Sequence, residues 1–142
     1  MRLLEGAMEA ITIHAEAGYP HEICGFLIGA AESDLVEESR RARNIAVASG
    51  DHGPHDRYLI DPLDQIRVDR ECDAQGKAIL GFYHSHPNSP ARASITDANA
   101  AWPDSFYLIV SVREGKLVDA NVFVTQTYGG PMGPEPLEIV KG

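Results

Sequence analysis

Aromatic residues make up only 7% of the chain, and cysteine appears twice, as Cys24 and Cys72. Two cysteines so far apart do not build a disulfide framework, and both read as free thiols of a reducing compartment. Basic charge is also short, with 12 Lys and Arg against 21 Asp and Glu and a formal net charge of -9. This excludes the basic footprint that nucleic-acid binding requires, and it points to an acidic, well-solvated surface that favours partners with a basic patch. No apolar run approaches the ~18 residues of a membrane span. Met1 to Gly6 turns amphipathic instead of entering the apolar core and small-residue cleavage site of a secretory signal. The expected location is the cytoplasm, with no membrane association.

What is present suffices for one domain over residues 1–142, because 142 residues that are 44% hydrophobic can bury a core without staples. Leu4, Met8, Ile11 and Ala15 recur at helical spacing, and Gly18-Tyr19-Pro20 stops the pattern, which predicts a helix from Leu3 to Ala17. The apolar run Ile23 to Gly29 predicts a buried strand with Glu22 at its entrance. A second strand with one solvated face is expected within Leu35 to Ile45. Residues 48–57, with Gly50, Gly53, Pro54, His52 and His55, read as a loop. Asp61-Pro62 caps and opens a second helix that carries Leu63, Ile66 and Cys72 inward and ends at Gly76. Ala78 to His86 reads as a strand, broken by Pro87-Asn88-Ser89-Pro90. Ser94 and Asp97 take the N-cap and N3 positions of a short third helix. Strands at Ser105 to Val112 and Leu117 to Thr125 flank the hairpin at Arg113 to Lys116, followed by an irregular Gly/Pro tail from Gly129 to Pro136 and a small edge strand at Leu137 to Val140. Helices alternating with strands around a mixed sheet make a layered α/β domain.

The chemistry concentrates in Gly81-Phe82-Tyr83-His84-Ser85-His86-Pro87. The period of two in a strand puts His84 and His86 on one face, within reach of a single ion. Catalytic zinc takes three protein ligands from among His, Asp, Glu and Cys and leaves a fourth position to water. Asp97 is the natural third ligand, because the proline-rich turn after His86 lets the first turn of the third helix bring back a carboxylate. Ser94 arrives on the same turn.

These residues resemble the JAMM metalloproteases, or MPN-plus domains, whose pattern is an upstream Glu, then His-x-His-Pro, six residues, Ser, two residues and Asp. Glu22, His84, His86, Pro87, Ser94 and Asp97 reproduce it without a gap. Five fixed positions in the downstream part arise by chance less than about once in a million starting points. The resemblance covers most of the chain and implies a cytidine-deaminase-like, three-layer α-β-α fold of the JAB/MPN type. It also implies zinc on His84, His86 and Asp97, with Glu22 as general base and later acid and Ser94 as oxyanion partner. The chemistry agrees, since zinc lowers the pKa of its water to about 7 and a nearby carboxylate can relay the proton to the leaving amine. A hydroxyl donor then steadies the oxyanion. The chain is too short for the ubiquitin-gripping insertions of large family members. It resembles the compact bacterial ones, which implies a peptidase or isopeptidase acting after the Gly-Gly tail of a ubiquitin-like or sulfur-carrier protein.

Plainer readings stand beside these. Ser94 with Asp97 alone is a capping box, and Glu22 alone is a solvated residue at a strand end. His52 and His55, with only Asp51 and Asp56 nearby, read as exposed loop residues rather than a second ligand set. Cys24 as a nucleophile beside His84 or His86 would make a cysteine peptidase, but burial in an apolar strand raises a thiol's pKa and makes it inert. Trp102 and Phe106-Tyr107 read as core or rim. A non-catalytic module binding a ubiquitin-like partner would show a broken metal set, and a nucleoside deaminase would need a Pro-Cys-x-x-Cys segment; neither feature is present.

Overall fold

The computed structural model describes residues 1–46 and 58–142. The elements run β1 (Arg2–Leu4), α1 (Glu5–Gly18), β2 (Cys24–Ala30), β3 (Leu35–Val36), β4 (Glu38–Ala42), α2 (Pro62–Ala74), β5 (Lys77–Pro87), α3 (Ile95–Asn99), β6 (Phe106–Arg113), β7 (Lys116–Thr125), β8 (Met132–Glu135) and β9 (Glu138–Val140). Six strands form the main sheet in the order β4-β2-β5-β6-β7-β8, while β3, β1 and β9 form a small parallel sheet beside it. In the main sheet β5 and β6 are parallel and the other pairs antiparallel, as the expected mixed sheet requires.

Alternation along β2 sorts the core into two layers. Leu27 packs with Ile11 and Ala15 of α1 on one face, while Phe26 and Ile28 pack with Val68 and Cys72 of α2 on the other. A strand covered on both faces reads as a continuous apolar run, which is how β2 appears in the sequence. In β5 the register slips opposite Leu27 and Ile28, whose partners are Gly81 and Ile79, so Leu80 bulges and joins the α1 side. Gly81 is where β6 comes nearest, since a Cβ there would sit 2.1 Å from the Phe106 carbonyl oxygen.

The layering follows the sequence, and several details do not. The second strand divides into β3 and β4, which belong to different sheets. The stretch expected to be irregular contains β8, paired antiparallel with β7. Leu3 and Leu4, expected to open the first helix, belong to strand β1, and α1 buries Ala7, Ile11, His14 and Ala15 while Leu4 and Met8 are only partly covered. In α2, Cys72 faces inward as expected, but Leu63 and Ile66 are 69% and 50% exposed, and Asp64 and Val68 take the inward face in their place. The helix rotates because the Asp64 carboxylate accepts the Arg43 backbone N–H at 2.8 Å and pairs with the Arg43 and Arg67 guanidinium groups. A buried carboxylate answered this way tolerates its desolvation. The expected loop with His52 and His55 lies outside the described residues. No helix among the described residues is long and apolar enough to cross a membrane.

Candidate active site

Two strands and one crossover assemble the site. Cys24 pairs with His84 and Phe26 with Phe82, so the antiparallel register continued by two residues sets Glu22 opposite His86, on the same face. The Ile23 N–H donates to Ser85 Oγ at 3.0 Å and the Ser85 N–H to the Ile23 carbonyl at 3.0 Å, which fixes the start of β2 against the end of β5. Parallel strands need a crossover, and the one from β5 to β6 leaves at the carboxyl end of β5, where His86 sits. That placement delivers α3 to the mouth of the strand, the position where ligands bind in open sheets with parallel strands.

Ser94 and Asp97 form the expected capping box. The Asp97 N–H donates to Ser94 Oγ at 3.0 Å, and the Ser94 N–H donates to Asp97 Oδ2 at 2.9 Å. The same carboxylate reaches both imidazoles, with Oδ1 at 3.2 Å from His84 Nε2 and Oδ2 at 3.2 Å from His86 Nε2. The two Nε2 atoms lie 3.1 Å apart. Ligand atoms of Glu22, His84 and His86 also fall within 4.8 Å of one another, so a second carboxylate borders the cluster.

The donor set suits a cation. His86 Nδ1 lies 2.8 Å from the Pro90 carbonyl, which only accepts, so Nδ1 carries the proton and Nε2 of the neutral ring presents a lone pair. That lone pair faces a carboxylate oxygen and another ring nitrogen. Electron-pair donors converge here, and a proton on Nε2 or a metal cation between them makes the arrangement favourable. The electrostatics agree. Burial depresses the His86 pKa, but the Asp97 and Pro90 hydrogen bonds and the charges of Asp97 and Glu22 outweigh it, and the net shift is upward. Burial dominates at His84 and lowers its pKa, which favours the neutral ring. At Asp97, desolvation is overcome by the two histidines and the Ser94 N–H, and its carboxyl titrates well below the usual range. Two imidazoles and a carboxylate in contact fit a divalent metal with nitrogen and oxygen preference.

The cluster opens into a cavity of about 870 Å³ that Glu22, His86, Ser94 and Asp97 all line. Tyr58 stacks on His84 with ring centroids 4.2 Å apart, a contact that no motif signalled because Tyr58 follows a loop without period. Asn44 Nδ2 donates to the Glu22 carbonyl at 3.0 Å, and Asn121 Nδ2 to the Ala91 carbonyl at 2.9 Å, steadying the site from distant segments. Trp102 stands at the cavity rim, 59% exposed, while Tyr107 is buried and accepts the Trp102 N–H at 2.8 Å. Cys24 is fully buried and its thiol is pushed up to about 12, first by burial and then by Glu22 and Asp64, which excludes a thiolate nucleophile at neutral pH.

Residues 4–124 match the sequence profile of the prokaryotic homologs of the JAB domain. A desampylase of Haloferax volcanii is 33% identical over 116 residues, covering 78% of this chain and 80% of that protein. A CysO-cysteine peptidase of Mycobacterium tuberculosis is 29% identical over 135 residues, covering 94% of this chain and 87% of that protein. In structure, a protein of Desulfitobacterium hafniense superposes with a TM-score of 0.81 at 30% identity, covering 100% of this chain and 94% of the other. A JAB1/MPN domain protein of Archaeoglobus fulgidus shares the fold at a TM-score of 0.59 and 17% identity, with 99% of each chain covered. The chain therefore belongs to the prokaryotic JAB-domain family and is a metallopeptidase of the JAMM type.

Proposed function

We propose that this metallopeptidase hydrolyses the peptide or isopeptide bond that follows the C-terminus of a ubiquitin-like or sulfur-carrier protein ending in Gly-Gly. The observation that carries the reading is the convergence of His84, His86 and Asp97 within 3.2 Å of one another, with Glu22 beside them at the floor of an open cavity. The names of the relatives, a desampylase and a CysO-cysteine peptidase, support the substrate class. A relative in Thermus thermophilus is named a probable TtuB-protein conjugate cleaving protease.

In this reading His84, His86 and Asp97 hold zinc. Bound there, zinc would supply a Lewis acid that lowers the pKa of a water to about 7. Glu22 takes the proton of the attacking water and later passes it to the departing amine. Ser94 Oγ already accepts the Asp97 N–H, which leaves its hydroxyl hydrogen free to donate to the oxyanion. Asp97 is oriented by the cap, and the cavity admits an extended tail whose glycines need no side-chain pockets.

The test is a panel of carrier proteins ending in Gly-Gly, fused or conjugated to a reporter and incubated with wild-type protein and with Glu22→Gln. Cleavage after the second glycine is expected from the wild type, with a fall of about 10²- to 10⁴-fold in the variant and an unchanged metal content. Retained turnover in Glu22→Gln removes Glu22 from the mechanism, and an inert wild type sinks the substrate class.

A further inference from the structure

Among the described residues that line the cavity, Arg92 is the one with a Lys or Arg side chain, and it shares that lining with the carboxylates Glu22 and Asp97. Arg92 is exposed and in no ion pair among the described residues, and the other arginines of which that is true, Arg41, Arg70 and Arg113, lie outside the cavity lining. Its backbone is held firmly. The Pro90 carbonyl accepts both the Arg92 N–H and His86 Nδ1 at 2.8 Å, and Ala91 is buried with its carbonyl bonded to Asn121. Two residues further on, Ser94 caps α3. A guanidinium on a rooted segment between a proposed metal ligand and the proposed oxyanion donor is placed to meet substrate.

With zinc bound, the charges of the two carboxylates that border the cavity would be offset, so Arg92 gives the cavity a net positive charge that favours an anionic group on the substrate. The glycines of the carrier tail bring no charge. A lysine joined through its side chain brings none near the scissile bond either, because its own carboxyl group lies four methylenes and a Cα away. A single amino acid joined through its α-amine is different, since its free carboxylate is separated from the scissile nitrogen by one carbon.

We infer that Arg92 binds the α-carboxylate of the leaving amino acid and selects conjugates in which one C-terminal residue follows the diglycine. The inference rests on the function proposed above and narrows it to release of a free amino acid. Water adds its hydroxyl to the glycyl carbonyl carbon, the C–N bond breaks, and the remaining proton goes to the amine. Arg92 takes no part in the proton transfer. It holds the leaving residue by a two-pronged, charge-assisted contact that a planar guanidinium makes with a carboxylate.

The test measures binding of two peptides ending in Gly-Gly-Ala, one with a free C-terminal carboxylate and one amidated, to the zinc-loaded Glu22→Gln protein by calorimetry. The free acid is expected to bind about tenfold or more tightly. Arg92→Gln in the same background brings the acid down to the amide, and Arg92→Lys keeps part of the preference. Arg92 is exposed, so neither substitution disturbs the core. Equal affinity for acid and amide, undetectable binding of the acid, or a preference that survives Arg92→Gln overturns the inference. Turnover of carrier fusions is scored separately, so a wrong substrate class shows as an inert wild type, while a wrong role for Arg92 shows in the peptide affinities.

Discussion

Ser94 and Asp97 hold each other through two reciprocal hydrogen bonds, 3.0 Å from the Asp97 N–H to Ser94 Oγ and 2.9 Å from the Ser94 N–H to Asp97 Oδ2. Helix capping and the proposed metal ligation are therefore one arrangement here. The second bond of the box, from the Ser94 N–H, fixes the face that the Asp97 carboxylate turns to His84 and His86.

Ser94→Ala keeps the backbone N–H that orients the Asp97 carboxylate, so zinc affinity is expected to stay within about a few-fold of wild type, while turnover falls by about 10²- to 10³-fold with the lost oxyanion donor. The missing cap also costs about 1 kcal/mol of stability. Ser94→Thr keeps the hydroxyl and should restore both. Competition with a calibrated chelator gives the affinity and carrier cleavage the turnover; full turnover in Ser94→Ala would remove the hydroxyl from the mechanism.

Purified protein is expected to take up about one zinc per chain. His86→Ala and Asp97→Ala should each bind less, and removing zinc with a chelator should lower the melting temperature, because a ligand that binds only the native state stabilises it. Metal analysis and thermal melts check both statements. A protein that takes up no zinc in either apo or reconstituted form has lost its proposed centre.

His14 is buried on α1, with Nδ1 2.7 Å from the Tyr83 hydroxyl, and burial together with the Arg41 charge lowers its pKa to about 4. Between about 4 and the ordinary value near 6.5 the unfolded chain binds the proton that the folded chain refuses. The contribution is thus intact above pH 6.5 and is lost as pH falls towards 4, on the order of 3 kcal/mol in total. Denaturant melts of wild type and His14→Gln across that window measure it. Equal pH slopes in the two proteins would contradict a neutral, buried His14.

Cys24→Ala is expected to retain turnover and to cost only about 1 kcal/mol of stability for the small void. Alkylating reagents at pH 7 should leave Cys24 unmodified in the native state, given its burial and raised pKa. Loss of activity in Cys24→Ala with zinc content preserved would reopen the cysteine reading.

Much of the site was legible because its parts are local. His84 and His86 share a face by strand alternation, and Ser94 and Asp97 face each other by helix-cap geometry, so both pairs follow from spacing alone. Glu22 was visible only through the family pattern. The fact that sets it beside His86 is the register of β2 against β5, which spacing along one strand does not encode. Tyr58, Asn44 and Asn121 left no local signal, since each reaches the site from another part of the chain.

The same division runs through the fold. Composition, the double-sided apolar run of β2 and the caps of α2 and α3 determined the elements and their layering, because local propensity and periodicity act within a few residues. Tertiary structure decided which face of α2 turns inward, where Asp64 displaces Leu63 and Ile66 by answering the Arg43 N–H. It also decided that Leu35–Val36 and Glu38–Ala42 join different sheets and that a Gly/Pro stretch becomes strand β8. Strand partners and buried-charge partners are chosen by contacts between distant residues, and those contacts exist only once the chain has folded.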